Sequence, residues 1–109
     1  MKISPLSMSI TDWSQVTLSE CPGEKGRARF MTCTFGEIRV RMVEYTPGYV
    51  ADHWCSKGHV VLCLSGFVDI EVRDGPHLCL QTGQSYHVGD GDPPHRSSAP
   101  EGATLFIVD

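Results

Sequence analysis

Glycine and proline interrupt this chain at short intervals beyond Arg27, at Gly36, Pro47-Gly48, Gly58, Gly66, Gly75, Gly83, Gly89, Gly91 and Pro93-Pro94. Such spacing suits short strands joined by turns and leaves little room for helices. Between the breaks the residues alternate. Ile38, Val40 and Met42 interleave with Glu37, Arg39 and Arg41, and Val68, Ile70 and Val72 interleave with Phe67, Asp69, Glu71 and Arg73. This is the period-2 signature of strands with one buried face. Asp74-Gly75 supplies a tight hairpin turn, Leu78 to Gln81 returns, and Gly83 opens a further turn. Tyr86 and Val88 share a face, and Ala103 to Val108 forms a last β-branched and apolar strand. The one helical hint, Thr11 to Glu20 behind a Thr11 or Asp12 cap, has few apolar residues and stops at Pro22-Gly23. The expectation is one all-β domain, a sandwich or barrel. Residues 27–109 would form the barrel and residues 1–26 a lead-in packing on it or extending it.

A chain of 109 residues can bury about two-thirds of its unfolded surface, enough for a single core without staples. Its net charge is −4 and its nine basic residues are scattered singly, which argues against a nucleic-acid groove. The longest uninterrupted apolar run, Val60 to Leu64, is far short of the roughly 20 residues of a membrane-spanning helix. A soluble acidic domain, binding neither nucleic acid nor membrane, is therefore expected.

Five cysteines stand at irregular spacing, Cys21, Cys33, Cys55, Cys63 and Cys79. An odd count without a charged-then-apolar leader in Met1 to Asp12 favours reduced thiols in a cytoplasm over a secreted disulfide scaffold. Four of them read as small hydrophobes in strands. Cys55 differs because of its neighbours. In the window Gly48 to His59, residues two apart on a strand project to one face, so His53 and Cys55 would point together. A turn at Lys57-Gly58 would bring His59 to the same spot, and the rigid Gly/Pro turn before His95 would aim a fourth donor there. Imidazoles and a thiolate converging in a small barrel suit zinc or another first-row metal. Trp54 reads as packing on the opposite face, Asp52 and Arg96 as exposed partners, and His77 and His87 as surface residues.

These windows resemble the two motifs of the cupins. The first motif is a glycine, a spacer, His-x-His, three or four residues, Glu, six residues and a glycine. Here Gly48 opens it, His53 and Cys55 stand at the two histidine positions, His59 at the glutamate, and Gly66 closes it. The second motif runs from Gly83 through Gly89-Asp90-Gly91 to His95, with a glycine for the usual proline and one extra residue before the histidine. The string Asp52-His53-Trp54-Cys55 further resembles the small single-domain DHCW-motif cupin-fold proteins. The resemblance covers about Ile38 to Val108 and implies a double-stranded β-helix, or jelly-roll barrel, with a metal pocket at one mouth. It also commonly implies a homodimer.

The departures from the family pattern shape the functional expectation. Histidine gives way to Cys55 and glutamate to His59, so the hard oxygen ligand is lost and the set becomes softer. That favours Zn²⁺, with Fe²⁺ or copper as alternatives, over Mn²⁺. The expected function is a cytoplasmic cupin binding a divalent metal through His53, Cys55, His59 and His95, and a small molecule inside the barrel. Tyr86 would supply a phenol to the pocket. If Cys55 does not ligate, a face of three histidines remains that resembles thiol-oxidising dioxygenases, giving an Fe²⁺-dependent oxidation of a small substrate such as a thiol. A third expectation is a metal-free ligand-binding or sensing module that acts through a partner protein.

Overall fold

The computed structural model describes residues 3–109, so the first two residues of the expected lead-in lie outside it. Nine strands account for the regular structure: β1 (Ser19–Pro22), β2 (Arg27–Phe35), β3 (Ile38–Tyr45), β4 (Tyr49–Val50), β5 (His59–Val72), β6 (His77–Gln81), β7 (Ser85–Val88), β8 (His95–Ala99) and β9 (Ala103–Val108). The helical hint near Thr11 shrinks to a single 3₁₀ turn at Trp13–Gln15, where the Asp12 side chain accepts from the Ser14 N–H. Among the described residues, no helix is long and apolar enough to cross a membrane.

All strand pairings are antiparallel, in the order β1-β2-β3-β9-β5-β8-β4, with β6 and β7 also paired to β5. The two ends of this path meet. Val50 N–H donates to the Lys25 carbonyl at 2.9 Å, and Glu24 N–H donates to the Val50 carbonyl at 2.8 Å. Curling one sheet until its ends bond to each other is how an antiparallel structure covers its edges. The expected all-β barrel is the observed architecture.

Strand β5 makes the curl. Its first half, from His59, pairs with β7 and β9, while its second half, from Phe67, pairs with β6 and β8. A register shift between Cys63 and Ser65 separates the halves. Val61 and Cys63 are buried before it, and Val68 and Ile70 after it, so the inward positions change from odd to even. One extra residue on a period-2 strand has that effect. At the joint Gly66 has φ +72°, and a Cβ there would stand 2.3 Å from the Gly102 carbonyl oxygen. Only glycine permits this approach.

Leu105, Val68 and Cys63 are the largest fully buried side chains, joined in the core by Val61, Ile70, Leu80 and Ile107. The alternation of β9 buries Ala103, Leu105 and Ile107. Two readings of the sequence need correction. Of the four cysteines expected to behave as strand hydrophobes, only Cys63 is buried, while Cys21 and Cys79 are exposed and Cys33 is half-buried. All five are free. In β3 the inward face is also not the simple apolar one. Arg39, Arg41, Val43 and Tyr45 line the barrel interior, while Met42 faces the outer side, in a groove with Trp13 and Leu18. The arginines are accommodated because Asp109, paired across the β3–β9 edge, brings a carboxylate to them.

Candidate metal centre

Three side chains converge at one mouth of the barrel. The donor atoms of Cys55, His59 and His95 all lie within 4.8 Å of one another. Each is held by its own piece of backbone. Cys55 and His95 stand opposite each other in an isolated antiparallel bridge, with Cys55 N–H to the His95 carbonyl at 2.8 Å and His95 N–H to the Cys55 carbonyl at 2.9 Å. His59 opens β5 opposite Val88 of β7. Just before it, Gly58 N–H donates to the Asp90 carboxylate at 2.6 Å. A Cβ on Gly58 would come within 2.7 Å of the Asp90 nitrogen. The loop of residues 89–92 can therefore press against the chain and fix where His59 begins.

The two imidazoles face each other, with Nε2 atoms 2.8 Å apart and rings nearly perpendicular at 84°. Burial, and secondarily the neighbouring His95, pushes His59 down to about 4. Burial lowers His95 as well. Both rings are therefore neutral near pH 7, the state in which imidazole nitrogens ligate metals. Without a metal, one Nε2–H donates to the other ring's Nε2 lone pair. Both Nδ1 atoms are buried and lack hydrogen-bond partners. The Asp109 carboxylate is 3.9 Å from His59 Nδ1, beyond hydrogen-bond range but on the side where a carboxylate would orient that ring.

The donor set fits one ion. Donors around a tetrahedral zinc, bonded at about 2.0–2.3 Å, stand roughly 3.3–3.6 Å from one another. The 2.8 Å separation of the imidazole nitrogens and the 4.8 Å limit of the group bracket that spacing. Two nitrogens and a sulfur are also chemically suited to a borderline or soft metal.

His53 stands apart from these three. It was expected to project with Cys55 from a common strand, but β4 ends at Val50 and the chain bends at Asp52 and His53. The His53 side chain is 73% exposed, with Nδ1 2.6 Å from the Asp52 carboxylate. Trp54 carries the guanidinium groups of Arg73 and Arg96, each 4.9 Å from a ring centroid. Arg96 is further held by Glu71 at 3.1 Å, so this stack braces the mouth. Tyr86 does line the interior, its ring 6.2 Å from that of His59 and 5.8 Å from that of His95, and burial raises its phenol. His77 and His87 are exposed.

Behind the three donors lies an interior cavity of about 270 Å³ with mostly apolar walls, including Val61, Val68, Ile70 and Leu105. Sequence reasoning did not anticipate Arg39 and Arg41, which reach its wall from β3, or Asp109, which follows β9 and pairs with both. Arg39 forms a fork on Asp109, with Nε at 2.8 Å and Nη2 at 2.9 Å, and Arg41 Nη2 reaches the same carboxylate at 3.0 Å. The Asp109 side chain is 1% exposed. Burial alone would raise its pKa, but Arg39 and Arg41 outweigh that and hold it below the usual carboxylate range.

No family profile and no curated protein sequence matches the chain. Solved structures do match. An RmlC-like cupin from Shewanella frigidimarina superposes with a TM-score of 0.71 at 20% identity, covering 94% of this chain and 90% of its own. The chain has the cupin fold. A predicted oxalate decarboxylase from Thermotoga maritima gives a TM-score of 0.77 at 13% identity over 92% of this chain and 96% of its own. Fe(II)-HppE, solved with an alternative substrate, gives 0.75 at 13% identity over 94% of this chain and 60% of its own. At these identities the likeness concerns the fold, and cupin folds carry more than one chemistry.

Proposed function

We propose that this cupin-fold protein binds one divalent metal ion through Cys55, His59 and His95, and a small molecule in the cavity behind it. The observation that carries the reading is the convergence of the three donors within 4.8 Å, two of them imidazoles kept neutral by burial. Zinc suits the N₂S set best. Three protein ligands leave a coordination position open, and a bound ion would supply Lewis acidity there. The chain's own residues would orient the ligand and exclude water, with Tyr86 as a hydroxyl group and the apolar walls as the rest of the enclosure.

The open position also supports a second reading, Fe²⁺-dependent oxidation of a small substrate, consistent with a structural neighbour that contains Fe(II). Free cysteines throughout support a reducing compartment, and we place the protein in the cytoplasm as a homodimer. Metal analysis of the purified protein and of the His95→Ala variant tests the main reading. About one zinc per chain is expected in the parent and none in a folded variant. Unchanged metal content in the variant would overturn it. Reconstitution with iron under anaerobic conditions, followed by oxygen uptake with candidate thiols, separates the second reading from the first.

A further inference from the structure

Strands β2, β3, β9 and β5 carry apolar residues on both faces. Behind the inward-facing Val43, Val61, Leu105 and Ile107, cross-strand register aligns the outward side chains into two rows. Met31, Met42, Phe106 and Leu62 stand side by side in the first row, and Cys33, Val40, Val108 and Val60 in the second. An antiparallel sheet with one face in water alternates apolar with polar residues, so both faces of this one are built to be covered. Neither row contains a charge. The row beside the first carries Arg29 and Glu44, joined at 3.3 Å.

The chain covers only part of this outer face. Trp13, Val16 and Leu18 line a groove with Met31 and Met42, but farther across, Val60 and Leu64 remain 41% exposed. The segment before Trp13 is equally bare. Leu6, Met8 and Ile10 alternate with Ser7, Ser9 and Thr11, the pattern of a strand with one face to bury. Yet Met8 and Ile10 are almost wholly exposed, and the segment pairs with no strand. Of the eight large apolar side chains exposed among the described residues, only Leu78 lies outside this face and residues 3–18. Apolar exposure gathered in that way marks an interaction surface.

We propose that this face packs against the same face of a second copy, and that residues 3–12 of each chain lie across the other. This rests on the homodimer reading and assigns its interface. The occupant is a second copy because one chain supplies both halves of the contact, an uncovered apolar face and an alternating segment with nothing to pack on. Two-fold symmetry gives each what it lacks. An uncharged face bordered on one side by one cation and one anion is self-complementary under that symmetry. It also offers nothing to select a strongly acidic or basic partner. At about 3.3 Å per residue the stretch from Ile3 to Ile10 spans roughly 23 Å when extended, more than the roughly 14 Å that separates the first and last of four paired strands.

Sedimentation over about 1–100 μM protein reads the assembly, and the parent should be a dimer. Val60→Lys with Leu64→Lys puts two charges on the face at positions already part-exposed, and should weaken the dimer by about a hundred-fold or more. Met8→Asp with Ile10→Asp alters side chains that touch nothing in their own chain, and should weaken it by about ten-fold or more. Leu78→Lys, at an exposed leucine off the face, should leave it unchanged. In a dimer mixed from one isotope-labelled and one unlabelled copy, filtered NOE spectra should join the Met8 methyl of one chain to the Val60 or Leu64 methyls of the other. Absence of those contacts between chains overturns the proposal, and it decides the matter if a variant fails to fold. A dimer that keeps its affinity with either double substitution, or loses it with Leu78→Lys, overturns the interface but leaves the homodimer. A parent that stays monomeric throughout overturns both.

Discussion

Asp109→Asn removes a negative charge from between two guanidinium groups while keeping the shape of the side chain. Three charge-assisted hydrogen bonds end on that carboxylate, at 2.8, 2.9 and 3.0 Å. Such bonds contribute about 1.5–3 kcal/mol each. Two factors reduce the loss. The Arg39 and Arg41 side chains remain 39% and 22% exposed, so water screens what they lose, and asparagine still offers one acceptor oxygen. The expected destabilisation is about 2–4 kcal/mol, or roughly 8–16 °C in Tm for a domain of this size. The difference must also depend on pH in one direction. Asp109 has its folded pKa lowered from 3.8, so its contribution is complete above the unfolded value and is lost as pH falls through the folded one. Thermal melts of both proteins from pH 7 downward should show a constant gap to about pH 5, which then closes in stronger acid. A gap equally wide at pH 7 and in strong acid would refute this account, as would no gap at pH 7.

His59 titrates in a different window: its folded pKa is about 4 against 6.5 unfolded, so below pH 6.5 the unfolded chain binds the extra proton. Metal-free protein should therefore lose stability as pH falls from about 6.5 to 4, and His59→Gln should flatten that slope in denaturant titrations. His53→Ala should leave metal content unchanged, because the ring is largely in solvent and outside the donor group; metal analysis decides. Gly66→Ala should cost about 3 kcal/mol or more by urea unfolding, because it combines a positive φ with a clash against the Gly102 carbonyl.

Much of the fold was legible because its signals are local. The Asp74-Gly75 turn appears where the dipeptide stands, with Asp74 at φ +53°, and the alternation of Ala103 to Val108 becomes β9 without adjustment. The convergence of Cys55, His59 and His95 was expected from the turns at Lys57-Gly58 and before His95 and from the resemblance to the cupin motifs, in a set that also included His53. Other features depend on partners distant in sequence. Alternation in β3 says that one face is buried but not which, and the answer comes from Asp109, 70 residues from Arg39. The change of inward parity between Cys63 and Ser65 leaves no composition signal, since apolar residues lie on both sides of it. His53 and Cys55 part because β4 stops at Val50, and strand periodicity loses its meaning once the chain bends.

Because β5 belongs to both halves of the curled sheet, the protein has no separable halves. Its first residues close against β9 and β7, and its last against β8 and β6. No fragment ending within β5 could complete either set of pairings. Folding must therefore wait for contacts between segments far apart in the chain, which makes it slow relative to helical proteins of the same length. It also makes the domain cooperative. Strain introduced at the Gly66 joint would reach His59 at one end of the strand and the hairpin at the other within the same unfolding event.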